Sequence, residues 1–424
     1  MFREFDYDNK PVVEIVDEML QDALKNGASD IHFDPTPDIL NVRFRIDGEL
    51  REYAKVPASV KKNLLTRIKI ISGMNITETR LPQDGAIKNL DSVDVDMRVS
   101  SLPIVVGEKI VIRLLDYSKS MEGLETLNFT DDNLEKFMKA IHTPNGIILV
   151  AGATGTGKST TVYGILQKLN DVKRNIITVE DPVEMKITGI NQVQVMSEIG
   201  LTFSNTLRSI LRQDPDTIMI GEIRDDETAR IAVRASITGH LVLSTIHTNN
   251  SLTTIERLLD MEVERYLLGS ALTMVISQRL CKKLCPICRE KISTTPYQKN
   301  VFKKVLGLDV EAIYEPKGCS KCFDGYRGRV AIQEVLLINQ EIRDAIMNNL
   351  KKSELRNLVY SEENVQTLLQ DGLKKVINGL TSFEQILTAI DISEDIDQDD
   401  VELRKAIIGN YSENAEIESD IEML

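Results

Sequence analysis

Residues 152–159 read Gly-Ala-Thr-Gly-Thr-Gly-Lys-Ser, a complete G-x-x-x-x-G-K-[ST] phosphate-binding loop. An apolar run at residues 147–150 precedes the loop, and residues 160–169 follow it as a segment that can form a helix. A strand, a glycine-rich loop and a helix in this order are the context that the motif requires. The stretch therefore predicts an α/β fold with a nucleoside triphosphate bound at the loop.

The residue types in the loop explain this chemistry. Its glycines let backbone N–H groups close around a polyphosphate, and the N-terminus of the following helix adds partial positive charge. Lys158 is predicted to contact the β- and γ-phosphates, and the Ser159 hydroxyl to bind Mg²⁺. The residues predicted to bind the nucleotide are Gly152, Ala153, Thr154, Gly155, Thr156, Gly157, Lys158, Ser159 and Thr160.

The size and composition of the chain are those of a multidomain globular protein. Its 424 residues predict about two to four domains, and 42% hydrophobic with 27% charged residues is an ordinary globular composition. No run approaches the roughly 18 apolar residues of a membrane span, and residues 1–10 lack the pattern of a secretory signal. Five cysteines do not make a disulfide scaffold in a chain of this length. These features predict a cytoplasmic protein.

Most of the net charge of −14 lies in one C-terminal segment. Residues 391–424 contain twelve acidic side chains against Arg404 and Lys405, a net charge of −10, which leaves −4 on residues 1–390. Because the main body has no concentrated basic stripe, no direct nucleic-acid partner is expected. We expect the acidic segment to be a disordered tail, although residues 401–408 can also form a short amphipathic helix with a docking role.

The first 117 residues have the pattern of an α+β domain. Helical spacing of apolar residues predicts a helix at residues 11–26, ended by Asn26-Gly27, and a second helix at residues 59–73. Asp47-Gly48 predicts a hairpin turn. Strands are predicted at residues 31–33, 40–46, 50–53, 93–99 and 109–115.

In the central part of the chain, short apolar strands alternate with helical segments. This alternation predicts a mostly parallel sheet with helices on both faces. The four strands are predicted at residues 146–151, 175–179, 216–220 and 241–245. The predicted divisions of the chain are an N-terminal α+β domain at 1–117, a linker at 118–130, a nucleotide-binding domain at 131–280, a cysteine-bearing insert at 281–330, a helical C-terminal region at 331–390 and the acidic tail at 391–424.

Two of these strands end in carboxylates. Residues 176–182 read Ile-Ile-Thr-Val-Glu-Asp-Pro, and residues 217–225 read Thr-Ile-Met-Ile-Gly-Glu-Ile-Arg-Asp. Because ligands of parallel sheets bind beyond the carboxyl ends of the strands, Glu180, Asp181 and Glu222 are expected beside the phosphate loop. A Gly-Glu pair stands where an Asp-Glu pair would be usual. Glu222 must therefore hold the Mg²⁺ shell or orient the attacking water alone, or share this role with Glu180 and Asp181.

Polar residues also flank the last of the four strands, in the run Thr-Gly-His-Leu-Val-Leu-Ser-Thr-Ile-His-Thr at residues 238–248. This run can place Thr245 and His247 near the γ-phosphate, where the His247 ring would sense the terminal phosphate through a hydrogen bond. His240 has either a structural or a functional role.

Four arginines are candidates for contacts with a neighbouring subunit or with the nucleotide. Arg208 and Arg212 lie four residues apart on one helix face, and they either pair with acids of their own domain or contact a neighbouring subunit. Arg98 and Arg113 lie on predicted strands of the N-terminal domain. From their spacing alone, they are solvated strand residues.

Two C-x₂-C pairs, Cys285 with Cys288 and Cys319 with Cys322, are separated by 30 residues. Each pair can bind one side of a tetrahedral Zn²⁺ through its thiolates. A site closed by four cysteines leaves no open coordination position, so its predicted role is structural. Cys281 lies one helical turn before Cys285 and is either a packed side chain or a substitute ligand.

On these motifs the chain resembles the secretion ATPase superfamily, most closely the assembly ATPases of type IV pili and type II secretion systems, with similarity also to competence pseudopilus ATPases. The resemblance runs from Ala-Ser-Asp-Ile-His at residues 28–32 to Asn-Gly-Leu-Thr-Ser-Phe-Glu at residues 378–384. Residues 152–159 resemble the family's Walker A motif, residues 178–182 its Asp box, residues 214–225 its atypical Walker B motif and residues 238–248 its His box.

The resemblance implies a toroidal homo-hexamer of RecA-like ATPase domains, each with an N-terminal α+β (PAS-like) domain that moves against it as ATP turns over. Glu222 would polarise the attacking water or complete the Mg²⁺ shell with Ser159, and Glu180 would support it. Arg98 and Arg113 would close on the γ-phosphate. The implied cofactors are ATP, Mg²⁺ and Zn²⁺.

The resemblance also implies a partner and a location. The hexamer would act from the cytoplasmic face of the inner membrane on a polytopic platform protein, converting ATP hydrolysis into pilin addition. Assembly ATPases commonly carry a further N-terminal domain, and here the chain begins almost at the α+β domain, which resembles the short Gram-positive competence or pilus versions. The acidic tail lies outside the family pattern.

Three other functions remain open at this point. A pilus retraction ATPase is disfavoured by the four cysteines, which retraction members generally lack. A DNA-translocating relative of RecA would need a basic channel or an aromatic stacking platform, whereas this chain has no Trp, 5% aromatic residues and a slightly acidic body. A nucleotide-gated scaffold would bind ATP without hydrolysing it.

Overall fold

The computed structural model of the protein describes residues 2–87, 95–115, 124–361 and 364–391, together with residues 403, 404 and 407. The chain divides into two units, Met1–Lys119 and Ser120–Leu424. The start of the strand predicted at residues 93–99, much of the linker predicted at residues 118–130 and most of the acidic tail lie outside the described residues.

In its described residues, the N-terminal unit is a six-stranded antiparallel sheet with two helices. The strand order is β3-β2-β1-β6-β5-β4. The predicted α+β fold of this region is therefore confirmed. The helices are α1 (Val12–Lys25) and α2 (Ala58–Ile71), and the strands are β1 (Ala28–Pro35), β2 (Ile39–Ile46), β3 (Glu49–Pro57), β4 (Gln83–Ile87), β5 (Asp96–Ile104) and β6 (Gly107–Leu115).

The hairpin between β2 and β3 follows from two residues with left-handed backbone. Asp47 has φ 51° and Gly48 has φ 95°, and the flanking residues Ile46 and Glu49 pair across the turn. Two left-handed residues give a turn whose twist matches that of the strands, as Asp-Gly predicts. Along β2 every second residue is buried, so one face of the sheet lies against the core of this unit.

The second unit contains, in its described part, a seven-stranded sheet with the order β15-β12-β7-β11-β10-β8-β9. All neighbouring strands are parallel except β12 and β15, which are antiparallel. The predicted parallel sheet is confirmed, and its four predicted strands match within one residue. The strands are β7 (Gly146–Ala151), β8 (Ile176–Glu180), β9 (Asn191–Gln194), β10 (Thr217–Ile220), β11 (Leu241–Ile246), β12 (Leu272–Leu284) and β15 (Tyr326–Leu337).

Helices cover both faces of this sheet because its central strands are apolar on both sides. In β7, every residue is buried, and Ile147, Leu149 and Ala151 contribute to the core cluster on one face. Such a run is typical of a parallel strand between two helical layers. The helices before the cysteine region are α3 (Asp131–Ile141), α4 (Lys158–Leu169), α5 (Phe203–Ile210), α6 (Asp226–Ile237), α7 (Ser251–Asp260) and α8 (Arg265–Ala271).

The cysteine-bearing insert and the C-terminal helices share one hydrophobic core. This C-terminal cluster includes Phe302, Leu373, Phe383 and Ile386. The boundaries predicted at 280/281 and 330/331 fall inside β12 and β15, which carry the main sheet into this region. The remaining elements are β13 (Glu290–Ser293), α9 (Pro296–Leu306), β14 (Ala312–Glu315), α10 (Gln340–Met347), α11 (Lys352–Val359), α12 (Leu368–Ile377) and α13 (Phe383–Ala389).

Part of the acidic tail packs against the C-terminal cluster. Ile407 is 1% exposed and belongs to the cluster, and Leu403 packs against it. The Tyr297 hydroxyl donates a hydrogen bond to the Ile407 carbonyl at 3.0 Å. Both residues fall within the stretch at residues 401–408 for which a short amphipathic helix was the alternative, and the expectation that most of the tail is disordered stays a prediction.

Two truncations test whether this contact stabilises the protein. Ending the chain after Gly409 keeps Leu403 and Ile407 and should leave Tm nearly unchanged. Ending it after Asp400 removes both side chains and should lower Tm by about 5–10 °C, since deleting a buried Ile costs roughly 2–5 kcal/mol. Thermal unfolding followed by circular dichroism measures both. Equal Tm values would show that the tail contributes nothing to the fold.

In the part of the chain that the structure describes, none of the helices is both long and apolar enough to span a lipid bilayer.

Candidate functional site

The phosphate loop joins β7 to α4 as predicted. Gly157 precedes the helix with φ 87°, a backbone conformation that glycine adopts without a steric penalty. Gly152 is also required, because a Cβ there would lie 2.5 Å from the Thr156 hydroxyl oxygen. Ser159 is exposed in the first turn of α4. The loop is thus a tight backbone turn that opens onto a helix N-terminus.

Lys158 lies inside this turn and is only 8% exposed. Its Nζ donates hydrogen bonds to the carbonyls of Gly152 at 2.7 Å and Ala153 at 2.9 Å. Burial lowers the pKa of Lys158, while the negative charge of Glu222 acts in the opposite direction. The ammonium group is therefore held at the centre of the loop and faces a carboxylate.

A cavity of about 410 Å³ opens beside the loop. This volume lies within the range of small-molecule binding pockets. A larger cavity of about 600 Å³ near Asp131 and Asp132 lacks the glycine-rich backbone that a polyphosphate needs, so we assign the nucleotide to the smaller one. The smaller cavity is lined by Gly152, Ala153, Thr154, Gly155, Thr156, Asn249, Arg279, Leu280, Ala389 and Asp391.

Glu222 lies at the carboxyl end of β10, and its backbone is held on both sides. The N–H of Gly221 donates to the Val179 carbonyl at 2.8 Å, and the N–H of Ile223 donates to the Thr245 carbonyl at 3.0 Å. The Thr245 hydroxyl donates to the carbonyl of Gly221 at 2.7 Å. The neighbouring strands β8 and β11 therefore fix the position of this carboxylate.

Two side chains contact the Glu222 carboxylate directly. Arg224 forms an ion pair with one oxygen, and the Nε2 atom of His247 lies 3.5 Å from the other. Arg224 and His247 are largely exposed, whereas Glu222 is mostly buried. The structure thus brings together Lys158, Glu222 and His247, as the sequence predicted, and adds Arg224.

Glu180 occupies a different environment from the one expected. It is 3% exposed, and its carboxylate accepts hydrogen bonds from the hydroxyls of Tyr163 and Thr178, the latter at 2.5 Å, and from the Gln192 amide at 3.1 Å. The Tyr163 hydroxyl also accepts from the N–H of Glu184 at 3.2 Å. Both oxygens of Glu180 are thus occupied by protein donors. Its supporting role in catalysis stays a prediction, and its observed role is to connect α4 to the segment after β8.

Tyr163 was not predicted as a site residue, although it lies only five positions after Lys158 in the predicted helix. Burial and the charge of Glu180 raise the pKa of the Tyr163 phenol, so it remains a donor. Asp181 is exposed and joined to Pro182 by a cis peptide bond.

The other polar residues predicted as candidates in the central domain, namely His240, Arg208 and Arg212, contact groups of their own domain. His240 precedes β11, at the edge opposite the phosphate loop, and its Nδ1 lies 2.9 Å from the Ala235 carbonyl. This position favours its structural interpretation. Arg208 forms an ion pair with Glu227 at 2.5 Å, within the same domain. Arg212 contacts the Arg208 carbonyl at 2.9 Å.

Arg98 and Arg113 face each other as paired residues on β5 and β6 of the N-terminal unit. The Nε atom of Arg113 donates to Asp30 at 3.0 Å, and Arg45 also approaches Asp30 at 3.9 Å. Asp30 is buried and belongs to the run at residues 28–32 that carried part of the family resemblance. It was not predicted as a site residue, and the structure shows that it pairs with Arg113. The contact of Arg98 and Arg113 with a γ-phosphate stays a prediction.

The four predicted zinc ligands form one cluster. The sulfur atoms of Cys285, Cys288, Cys319 and Cys322 all lie within 4.8 Å of one another. Two pairs are at 3.6 Å (Cys288 to Cys322) and 3.5 Å (Cys319 to Cys322). Four thiolates about 2.3 Å from a tetrahedral zinc ion would be about 3.8 Å apart, so the cluster fits Zn²⁺. It closes the base of a segment that contains β13, α9 and β14.

Cys281 does not belong to this cluster. It lies on β12 rather than on a helix, and it is buried in the C-terminal cluster of apolar side chains. Burial raises the pKa of its thiol to about 12. Since the thiolate is the metal-binding form, Cys281 is a packed side chain, and its interpretation as a substitute ligand is disfavoured.

The fifth cysteine provides a control for the zinc assignment. We expect about one zinc ion per chain in the wild type and in Cys281→Ser, and almost none in Cys288→Ser, because three thiolates hold zinc less tightly than four. Inductively coupled plasma mass spectrometry on protein purified under reducing conditions measures this. Zinc-free wild type, or full zinc retention in Cys288→Ser, would contradict the assignment.

Comparisons with known proteins agree with this geometry. The sequence profile of a family described as "Type II/IV secretion system protein" matches residues 6–388. The type II secretion system ATPase E of Vibrio cholerae is 43% identical over 384 residues, covering 90% of this chain and 75% of that protein. The type IV pilus assembly ATPase PilB of Myxococcus xanthus is 43% identical over 385 residues, covering 90% of this chain and 68% of that protein.

A solved structure with the same architecture is that of the pilus retraction motor PilT with bound ADP. It is 27% identical in sequence and aligns with a TM-score of 0.62 over 91% of this chain and 98% of that one. The relatives named for secretion and pilus assembly are thus more similar in sequence than this retraction motor. The expected secretion ATPase family is confirmed.

Proposed function

The chain belongs to the type II/IV secretion system protein family, and we propose that it is a motor ATPase that drives assembly of a type IV pilus, a type II secretion pseudopilus or a competence filament. The observation that carries this proposal is the convergence of Lys158, Glu222 and His247 at the carboxyl edge of one parallel sheet. This edge is where nucleotides bind in such folds.

In the proposed reaction, the loop residues first bind the triphosphate. Backbone N–H groups of the loop and the Lys158 ammonium neutralise its phosphates, and the helix N-terminus of α4 adds to this. The exposed Ser159 hydroxyl, and Glu222 through a hydration shell, would hold Mg²⁺, which would offset the negative charge of the phosphates.

Glu222 then serves the hydrolysis step. Its carboxylate accepts a hydrogen bond from the attacking water and so aims the water at the γ-phosphorus. The bond between that phosphorus and the β–γ bridging oxygen breaks, which gives ADP and phosphate. His247 hydrogen-bonds the terminal phosphate. Arg98 and Arg113 supply positive charge that offsets the negative charge developing on the phosphate in the transition state.

We also propose the assembly and location of the motor. The active form is a homo-hexamer that acts at the cytoplasmic face of the inner membrane on a polytopic platform protein. The family to which the chain belongs supports this proposal. Size-exclusion chromatography with light scattering, in the presence of Mg²⁺ and a non-hydrolysable ATP analogue, measures the number of subunits.

Assembly is favoured over retraction by two observations. The protein has the four-cysteine cluster, which retraction ATPases of this family generally lack. The relatives named for secretion and pilus assembly are 43% identical to this chain, against 27% for the retraction motor. A retraction motor nevertheless shares the same nucleotide site, so the two functions need a test in cells.

Deletion of the gene in its native host, scored separately for surface filaments, secretion and transformation, tests the direction of the motor. An assembly motor predicts loss of filaments or of secretion, restored by the wild-type gene. A surplus of surface filaments would indicate retraction instead. A purified protein that binds ATP but releases no phosphate, with or without host membranes, would support the nucleotide-gated scaffold.

A further inference from the structure

A buried glutamine on β12 contacts the phosphate loop and the helix behind it. Gln278 is 1% exposed. Its Nε2 atom donates to the Thr156 carbonyl at 2.8 Å, and its Oε1 atom accepts from the Thr161 hydroxyl at 2.8 Å. We propose that Gln278 is a positioning residue that orients the Thr156–Gly157 peptide so that its N–H faces the bound phosphates.

The orientation follows from peptide geometry. In a planar trans peptide, the carbonyl of one residue and the N–H of the next point in opposite directions. The Thr156–Gly157 peptide is trans. Because the Thr156 carbonyl points at Gln278, the Gly157 N–H points away from Gln278, toward the interior of the loop. The glutamine thereby selects which polar group of this peptide the nucleotide meets.

A glycine on the C-terminal side of this peptide makes such a restraint useful. Gly157 has φ 87° and no Cβ, so its φ, one of the two torsions that a flip of the Thr156–Gly157 peptide changes, meets no side-chain resistance. A flipped peptide would present the Thr156 carbonyl oxygen to the phosphates, which is electrostatically unfavourable. The glycines allow the loop to close around a polyphosphate, and Gln278 supplies the preferred orientation that they lack.

The orientation of the Gln278 amide is itself determined by its partners. The Thr156 carbonyl can only accept a hydrogen bond, so it must face the NH₂ group, and this leaves the amide oxygen for the Thr161 hydroxyl. Thr161 lies on α4, buried beside the glutamine. The contact between Thr161 and Gln278 is buried, so its loss leaves an unsatisfied group there.

The effect of losing Gln278 on KM and kcat distinguishes a positioning role for this residue from a catalytic one. This deepens the proposed function and rests on it, since it requires ATP to bind at this loop. A backbone N–H that contacts phosphate does so both in the substrate complex and in the transition state. Losing its orientation should therefore raise Kd and KM while leaving kcat almost unchanged.

The test uses the full-length protein and ADP, with binding measured by calorimetry and phosphate release measured in parallel. Gln278→Met keeps the side-chain length and removes both hydrogen bonds, and it should raise Kd for ADP and KM for ATP about 5–20-fold with kcat within twofold. Gln278→Glu keeps the acceptor for Thr161 but turns an oxygen toward the Thr156 carbonyl, so it should weaken binding at least as much.

Two further variants separate this effect from general destabilisation. Thr161→Val should raise Kd about 2–5-fold, and adding it to Gln278→Met should cause no further loss, because Thr161 acts through the glutamine. Gln333→Met is the matched control. Gln333 is an equally buried glutamine that pairs with Gln278 across the β12–β15 ladder, but it donates to the Leu127 carbonyl at 2.9 Å. Its loss should lower Tm and leave Kd for ADP unchanged.

The possible results distinguish failure of the inference about Gln278 from failure of the proposed function. Wild-type Kd in a folded Gln278→Met protein, or a fall in kcat at constant KM, would overturn the inference while leaving the proposed function intact. Should Gln278→Met fail to fold, wild-type affinity in Thr161→Val and in Gln278→Glu would overturn it equally. If the wild-type protein itself does not bind ADP, the proposed function fails.

Discussion

Replacing Glu222 with Gln is expected to lower kcat for ATP hydrolysis about 10²–10⁴-fold while the protein still binds ATP. The substitution keeps the size of the side chain and removes the charge that aims the attacking water. The carboxylate is well placed for this role, because β8 and β11 fix its backbone and His247 lies 3.5 Å from it. Phosphate release and ATP-analogue binding, measured on the same preparation, give the two quantities.

A surface substitution of the same kind serves as the control. Glu311 is exposed and pairs with Lys299 at 2.7 Å, in the segment between the two cysteine pairs. Glu311→Gln should leave kcat, KM and Tm close to wild type, since exposed ion pairs contribute little. If Glu222→Gln kept kcat within twofold of wild type, the water-activating group would have to be sought elsewhere in the site.

Glu180 illustrates how far sequence reasoning could locate the catalytic carboxylate. Both Glu180 and Glu222 end buried strands of the parallel sheet, so the sequence predicted both beside the phosphate loop, with Glu222 in the main role and Glu180 supporting it. The difference arises from contacts across the fold. Tyr163 and Gln192 hold the buried Glu180 carboxylate by hydrogen bonds. The Glu222 carboxylate instead contacts the largely exposed side chains of Arg224 and His247, and its charge acts on Lys158.

The phosphate loop was predictable because its signal is local. Glycine spacing, the apolar strand before it and the helix after it all lie within 25 residues of sequence, and each has a direct physical meaning. The four cysteines were predictable for a similar reason, since two C-x₂-C pairs are a metal-binding pattern whatever fold surrounds them. The structure brings all four together.

Gln278 and β12 were not predictable in the same way. Gln278 lies 122 residues from Thr156, and its apolar surroundings in the sequence suggest only a buried segment. The pairing of β12 with β7 and β15 also joins the main sheet to the cysteine region, which had been predicted as a separate insert. Such contacts depend on long-range strand pairing, and the composition of one segment does not specify its partner.

Replacing Lys158 with Ala is expected to raise Kd for ATP about 10²-fold or more and to abolish measurable turnover. The ammonium group is the one cation that the loop itself contributes, and it lies buried between the carbonyls of Gly152 and Ala153. Hydrogen bonds from a charged donor contribute roughly 1.5–3 kcal/mol each, and a buried phosphate left without its cation costs more. Lys168→Ala, on an exposed position of the same helix, is the matched control and should bind ATP like the wild type.

The pH dependence of binding provides a second check on the same lysine. Burial lowers the pKa of Lys158 and the Glu222 carboxylate partly offsets this, so the free protein loses the ammonium charge at a lower pH than an exposed lysine would. Affinity for ATP should be full below that pKa and should fall as pH rises through it. In Glu222→Gln the offsetting charge is gone, and the fall should therefore begin at a lower pH than in the wild type. Titration calorimetry between about pH 7 and pH 10 compares the two proteins, and a shift toward higher pH in the variant would mean that Glu222 does not act on Lys158.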